Sequence, residues 1–453
     1  MARATPHNGV VRVVLISTYE LGRQPFGLAS PTAWLRAAGH EVTQTDLSCS
    51  PLPVDAVAAA DLIAFFLPMH TATRLFFRVF ERVRQANSRA HLCAYGLYAP
   101  LNEILLRQAG VGTILGGEFE RGLSDLARRL SQGEPEPSTL TSMERQQFLV
   151  PDRTGLPSLG AYAQLVTPAG TRRVGYTEAS RGCKHRCRHC PVVPVYQGVF
   201  RVVQQDVVME DIRRQVAAGA QHITFGDPDF FNGPGHAMAI VEALHREWPE
   251  LTYDVTIKIE HLLDRRDLLP GLRATGCAFV ISAVESLDDR VLERLDKGHT
   301  RSGFLEALRL TRAAGLDLSP TFIPFHPWTT WESYRSFLRD LVELEQADQM
   351  APIQLAIRLL IPEGSLLLEL PEVRRMIGPF DPRGLCYPWH NPDPALDALC
   401  ISIQAAIKSA ERRRESRSAI FRRIWDLAGA GAMPSEPLVS RTTIPYLTEP
   451  WYC

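Results

Sequence analysis

The sequence predicts an α/β chain: a doubly wound N-terminal sheet, then a partial (βα)6 barrel, then a small helical C-terminal region. Three observations predict it. Strand and helix signals alternate over about residues 10–130 and again over about 173–360, and such alternation builds parallel sheets. Between the two runs, Ser131-Gln-Gly-Glu-Pro-Glu-Pro-Ser138 is rich in Pro, Gly and acid, as a boundary is. From Pro394 to Ala428 the pattern is helical.

Each element follows from its residues. Val11–Ser17 reads as a buried strand, Pro31–Ala38 as a helix, and Gly39–Thr45 as a cap followed by a strand. Asp61–Leu67 is a strand, Thr71–Gln85 an amphipathic helix, and His91–Tyr95 a strand. Leu101–Ala109, Thr113–Leu115 and Glu118–Leu130 complete the unit as helix, strand and helix. In the second unit, strand Arg173–Ala179 leads, followed by helix Met209–Ala218 and strand His222–Phe225. Helix His236–Glu247, strand Tyr253–Ile257, helix Leu263–Ala274 and strand Ala278–Ala283 continue it. Helix Gly303–Ala313, strand Leu318–Ile323, helix Trp331–Glu345 and strand Gln354–Leu360 finish it. Six strands suit a partial barrel better than a closed eightfold one, and barrel active sites gather at the strand carboxyl ends.

Composition narrows the class. The 49 basic and 50 acidic side chains nearly cancel, so no global field favours nucleic acid or a membrane surface. No apolar run is long enough to span a bilayer, and Val10–Ser17 reads as a strand rather than a leader. Nine cysteines, three of them clustered, argue against a secreted disulfide framework. The expectation is a cytoplasmic protein with no membrane and no nucleic-acid partner.

The strongest motif is Cys183-Lys-His-Arg-Cys187-Arg-His-Cys190, a C-x3-C-x2-C triplet directly after the first barrel strand. Thiolates are soft ligands for iron–sulfur clusters, zinc or copper(I). Three ligands leave one iron of a cubane open to a substrate or cofactor. A structural zinc completed by His185 or His189 is the alternative, although zinc sites usually pair C-x2-C with a distant second pair. His185 reads as a solvated loop residue. Cys277 is far away in a strand-like run.

This spacing resembles the radical S-adenosylmethionine (radical SAM) family, over about residues 10–365 of the chain. The resemblance implies a 4Fe–4S cluster on Cys183, Cys187 and Cys190, with SAM chelating the open iron and yielding an organic radical on reduction. Phe225-Gly-Asp-Pro-Asp-Phe-Phe-Asn232 stands where the family carries a Gly-Gly-Glu-like segment that receives the SAM amino group. Gly226 remains of the glycine pair, and Asp227 and Asp229 are the acids, similar to the Asp-x-x-Phe version of cobalamin-associated members. Ile281-Ser-Ala-Val-Glu-Ser286 resembles the family's Gly-x-Glu-Ser strand end, with Ser282 where Gly is common and Glu285 as a SAM contact. Arg201 resembles an arginine found after the cluster loop. Thr256, Lys258 and Glu260 end the third strand at the same mouth. His326 and Trp328 are substrate-pocket candidates, and Arg358 ends a later strand. An electron donor such as flavodoxin or ferredoxin is implied, with a small-molecule or peptide substrate that the sequence does not name.

The N-terminal unit resembles the flavodoxin-like, cobalamin-binding domain of one radical SAM class. Pro25-Phe-Gly-Leu28, Leu35–Val42 with Asp46, Asp61–Leu67 and Gly116-Gly-Glu-Phe-Glu120 carry that likeness. The Asp-x-His-x-x-Gly motif for a cobalt ligand is missing, and His70 sits in the wrong context. Either cobalamin binds without a protein ligand to cobalt, or the crevice is a relic. The implied division is a cobalamin-binding-like domain at 1–135, a linker at 136–168, the radical SAM barrel at 169–365 and a helical region at 366–453.

Leu447-Thr-Glu-Pro-Trp-Tyr-Cys453 resembles the tail of the CUAEP/CCAEP radical SAM (seleno)protein group. That likeness implies a chain continuing past Cys453 with selenocysteine or cysteine, and Cys453 as a catalytic thiol. The outcomes left open are three: a SAM radical enzyme, with methyl transfer if cobalamin binds; transfer of the 3-amino-3-carboxypropyl group of SAM to arsenic or selenium; or a non-catalytic Cys/His metal- or redox-sensing protein.

Overall fold

The computed structural model describes residues 9–433 and 446–448. Strands β1 (Arg12–Ser17), β2 (Glu41–Asp46), β3 (Leu62–Phe66), β4 (His91–Tyr95) and β5 (Thr113–Gly117) form a parallel sheet, and β6 (Thr139–Ser142) extends it beside β5. The order is β2-β1-β3-β4-β5-β6, which reverses direction between β1 and β3. Strands β3 and β4 are buried at every residue, as a sheet covered by helices on both faces requires. Helices Phe26–Ala37, His70–Ala86 and Glu120–Gln132 supply much of that cover.

The first helix starts at Phe26, not at Pro31, and runs through the proline. Proline cannot donate to the carbonyl four residues back. The Gly27 carbonyl freed in this way accepts the Tyr95 hydroxyl at 2.8 Å, so the orphaned acceptor is satisfied.

The stretch read as a linker is not structureless. It holds β6 and also β7 (Gln164–Thr167), which pairs antiparallel with β8 (Gly170–Thr177). Next come two short antiparallel strands, β9 (Ser180–Gly182) and β10 (Phe200–Val202), which bracket the cysteine loop. Strands β11 (His222–Phe225), β12 (Thr252–Thr256), β13 (Cys277–Glu285) and β14 (Asp317–Phe322) then follow β8 in parallel and in sequence order. Strand β15 (Tyr446–Leu447) pairs with β7 at the far edge.

The curled sheet therefore carries five parallel strands. The expected sixth, Gln354–Leu360, is a correction: Pro352–Leu355 winds into a 3-10 turn, and only Arg358 bridges, to Phe325. The expected helix Leu263–Ala274 is likewise two helices, Ile259–Asp264 and Leu269–Ala274, the second opening on Pro270. Helices Pro394–Arg412 and Arg417–Ala428 bury Leu399, Ile403, Phe421 and Trp425 in the barrel's outer core. Among the described residues no helix is long and apolar enough to cross a membrane.

Candidate active site

The loops after β8, β11, β12, β13 and β14 share one end of the barrel sheet, and the candidate residues collect there. Cys183, Cys187 and Cys190 lie between β9 and the helix Val192–Tyr196. Cys187 is buried and the other two are half-buried, and none is in a disulfide. Cys183 Sγ accepts the His185 amide at 3.5 Å. Gly182 sits at φ 72°, and a Cβ there would come within 2.3 Å of the Tyr196 ring, so the loop entry needs glycine. Burial pushes the free Cys190 thiol up to about 12, so its thiolate forms only against a cation.

Both loop histidines have partners other than the thiols. His189 Nε2 lies 3.1 Å from Glu285 Oε1. His185 is turned inward rather than solvated: its Nε2 is 3.2 Å from His261 Nε2, and its Nδ1 is 3.6 Å from Glu260. Among the described residues, the trio whose ligand atoms all fall within 4.8 Å of one another is His185, Asp229 and His261. The three thiols do not form such a trio, a spacing that suits a cubane better than one tetrahedral ion.

Glu285 ends β13 where the register with β14 slips, and its φ of 70° is the left-handed region. Such a bulge re-aims a side chain, and here it turns Glu285 between His189 and Lys297, whose Nζ is 3.4 Å away. Burial would raise the Glu285 carboxyl, but Lys297 and His189 outweigh it and hold it down at about 2. Burial opposes the Lys297 charge, yet Glu285 and the thiols of Cys187 and Cys190 hold its ammonium above the usual value. His299, two residues on, is buried with neither ring nitrogen bonded, and burial pulls it down to about 4.

The β11 end brings two acids to different tasks. Asp227 is turned back into the barrel wall, accepting the Ala179 amide at 2.9 Å and the Ser180 hydroxyl at 2.5 Å. Burial pushes its carboxyl up to about 7. Asp229 faces the mouth, with Oδ2 2.7 Å from His261 Nδ1, and caps the turn at Phe231. Gly226 is required for packing: a Cβ there would lie 1.9 Å from the Tyr176 hydroxyl. Ser282 is fully buried with its Oγ unbonded. Lys258 pairs with Glu260, and the Lys258 amide lies 3.5 Å from Asp229.

Arg201 and Arg358 stand apart from this cluster, whereas His326 lines one cavity with Glu285 and Ser286. Arg201 donates to the Met143 carbonyl, away from Glu285 and Asp229. His326 is buried against Thr329 and beside the Trp328 ring. Arg358 pairs with Asp397 at 2.6 Å and covers the Trp389 ring. Cys453 lies outside the described residues.

Sequence reasoning missed Arg181, between the first barrel strand and the cysteine triplet. Its guanidinium makes a bidentate pair with Glu120 at 2.6 and 3.0 Å, meets Glu178 at 2.6 Å and reaches Glu118 at 3.5 Å. It lies 5.0–5.4 Å from the ring centres of Phe26, Phe119 and Phe148. Burial pushes Glu118 up to about 7, whereas Arg181 overcomes burial at Glu120 and lowers it. The signal was legible as Glu118 and Glu120 flanking an aromatic residue directly after β5.

The Radical SAM superfamily model matches residues 177–341, which begins at the end of β8 and contains the cysteine loop and every mouth residue described. That segment of the chain is a radical SAM domain. A 4Fe–4S cluster and SAM are the cofactors of that fold. Among curated relatives, the chain is 27% identical to a hopanoid C-3 methylase of Methylococcus capsulatus over 169 residues, 37% of this chain and 32% of that one. It is 27% identical over 214 residues to a tRNA-2-methylthio-N(6)-dimethylallyladenosine synthase of Desulfosudis oleivorans, 43% of each chain. The match thus spans less than half the length of these two relatives. Of solved structures, the radical SAM enzyme OxsB with aqua-cobalamin and SAM bound aligns at TM-score 0.69 and 16% identity, covering 88% of this chain and 67% of that one. The methyltransferase TsrM of Kitasatospora setae, with cobalamin and a [4Fe–4S] cluster bound, aligns at TM-score 0.58 and 17% identity, covering 74% and 71%. These two extend the shared fold through the N-terminal sheet, which is a cobalamin-binding-like sheet in architecture.

Proposed function

We propose that the chain holds a 4Fe–4S cluster through Cys183, Cys187 and Cys190 and transfers or rearranges groups by SAM radical chemistry. One observation carries the reading: three thiols on one loop whose two histidines are engaged by Glu285 and by His261 with Asp229 and Glu260. Among the described residues the donor set is three soft sulfurs with no fourth, which would leave one iron free for SAM. Cys183, Cys187 and Cys190 would hold the cluster, which would supply the one-electron reducing power for cleaving SAM.

The chain's own residues bind and orient. Asp229, at the mouth, is suited to the SAM ammonium through a charge-assisted hydrogen bond, and the His261 ring beside it orients the carboxylate. Glu285 stays ionised across the working pH range because Lys297 and His189 hold it so, and it faces ribose hydroxyls or the methionyl amine. His299, neutral and unbonded, is a free donor or acceptor for the same ligand. Asp227 anchors β9, and thereby the loop entry, rather than meeting SAM. A flavodoxin- or ferredoxin-like donor supplies the electron.

Which SAM-derived group moves is read from products. Anaerobic protein reconstituted with iron, sulfide, SAM and reductant should release 5′-deoxyadenosine if hydrogen is abstracted and S-adenosylhomocysteine if methyl moves. Methylthioadenosine would mark 3-amino-3-carboxypropyl transfer to a soft element, the outcome that the CUAEP/CCAEP-like tail favours. No SAM cleavage with a full cluster overturns the proposal. Cobalamin-dependent methyl transfer draws its support from OxsB and TsrM, which share the fold and hold cobalamin. A fold does not carry a ligand's identity with it, and the side chains at the N-terminal sheet do not fit a corrin, for the reasons that follow.

A further inference from the structure

In parallel α/β sheets a ligand sits beyond the strand carboxyl ends at the switch point, here the ends of β1, β3, β4 and β5. That edge is filled by this chain's own residues. Glu20, Leu67, Tyr98, Glu118, Phe119 and Glu120 follow those strands, and all six are buried. Phe66 lies against the start of the first helix, where a Cβ on Gly27 would be 2.1 Å from its ring. Tyr95 and Phe119 stack beside it, with ring centres 5.0–5.9 Å apart within the group. The space beside the starts of the helices Phe26–Ala37 and Glu120–Gln132 is thus filled by three aromatic rings.

The rest of the edge is covered by the two flanks of the cysteine loop. Arg181, two residues before Cys183, is clamped by Glu118 and Glu120 as described. Val195 and Tyr196, just after Cys190, pack into the N-terminal core with Ile16, Phe65 and Tyr98. The Tyr196 hydroxyl donates to Glu118 Oε1 at 3.2 Å. Both flanks of one loop therefore meet at one carboxylate of the neighbouring sheet. Among the described residues of the N-terminal sheet and its helices, none of the three histidines is placed to ligate cobalt: His40 and His91 are at strand amino ends, and His70 Nε2 lies 2.6 Å from the Gly384 carbonyl.

We propose that the carboxyl edge of the N-terminal sheet is a seat for the cysteine loop, with Arg181, Glu118, Glu120 and Tyr196 as positioning residues, and that no corrin binds there. The seat rests on the reading of this loop as the cluster loop; the exclusion of the corrin does not. Buried bidentate Arg–carboxylate pairs fix geometry as well as charge, and a cluster site is tuned by the shell that holds its ligands.

Two measurements test this. Anaerobic full-length protein is incubated with hydroxocobalamin or methylcobalamin and passed over a gel-filtration column, with the corrinoid read by absorbance. No corrinoid co-eluting is expected, and a stoichiometric corrinoid would overturn the proposal. For the seat, Tyr196→Phe removes only the hydroxyl on Glu118. Its reduced cluster should show an altered electron paramagnetic resonance spectrum and faster iron loss to a chelator. Leu35→Ala, which loosens the N-terminal core near the far end of the first helix, should leave the spectrum as in wild type. A Tyr196→Phe spectrum identical to wild type, or the same change in both variants, would overturn the seat. If wild-type protein takes up no cluster, it is the proposed function that fails, and the corrinoid result still stands alone.

Discussion

Arg181→Met is the most informative single change to the fold. The arginine is buried, and so is its bidentate partner Glu120. Methionine fills much of the volume but leaves Glu120 held only by Ser30 at 2.7 Å and Gln146 at 2.9 Å, with Glu118 and Glu178 nearby. Breaking a buried pair by removing one partner costs about 3–5 kcal/mol. Three cation–π contacts are lost as well, at roughly 0.5–1 kcal/mol each. A loss of about 4.5–8 kcal/mol is a large part of a domain's ~5–15 kcal/mol stability. Without Arg181, Glu120 should take up a proton in the folded state, so its folded pKa would rise above the unfolded one. The penalty should therefore be smaller near pH 5 and full above neutrality. The double variant Arg181→Met/Glu120→Gln should recover part of the loss, because no buried charge is left unpaired. The assay is urea unfolding at two pH values. A variant within about 1 kcal/mol of wild type, a spread typical of exposed pairs, would refute this account, as would a penalty that does not change with pH.

Three further outcomes follow from the site. Gly226→Ala should cost about 1–3 kcal/mol by overpacking against Tyr176, read as a lowered thermal midpoint; an unchanged midpoint contradicts the packing. Asp227 keeps its proton to about pH 7 when folded, while the unfolded chain releases it near pH 4. Stability should thus fall as pH rises through that window, by at most about 4 kcal/mol, and Asp227→Asn should flatten the slope between about pH 4 and 7. Glu285→Gln leaves the buried Lys297 ammonium without its carboxylate, and SAM affinity by equilibrium dialysis should fall roughly tenfold, the equivalent of one lost charge-assisted contact at ~1.4 kcal/mol. Unchanged affinity would remove Glu285 from the SAM site.

The parts of the fold that were legible in the sequence are those where local pattern and tertiary context agree. β3, β4 and β11 are short apolar runs between turn signals, and their bounds were read to within a residue. Gln354–Leu360 looked like a strand but has no neighbour to pair with beyond Phe325, so it stays a single bridge. β6 and β7 were missed because Thr139–Ser142 and Gln164–Thr167 are four-residue strands of mixed polarity whose order comes from their partners. At the site, Cys183, Cys187, Cys190 and Glu285 announce themselves by local spacing. Arg181 with Glu118 and Glu120, and Asp229 with His261, are pairs 61 and 32 residues apart; only the folded chain brings them together. Arg201 shows the converse, a recognisable local context whose side chain turns to the Met143 carbonyl.

The central claim is that three thiols of one loop hold a cubane cluster. Iron and acid-labile sulfide on anaerobically purified and reconstituted protein, with Mössbauer spectra of the same sample, test it most directly. The account predicts about four irons and four sulfides per chain, the cubane stoichiometry, with one iron changing its signal when SAM is added. Cys277→Ala should keep the cluster, since Cys277 is buried in β13 and bonded to the Phe279 carbonyl. The Cys183→Ala/Cys187→Ala/Cys190→Ala variant should hold none. A single zinc in place of iron and sulfide, or a cluster surviving in that triple variant, would contradict the account.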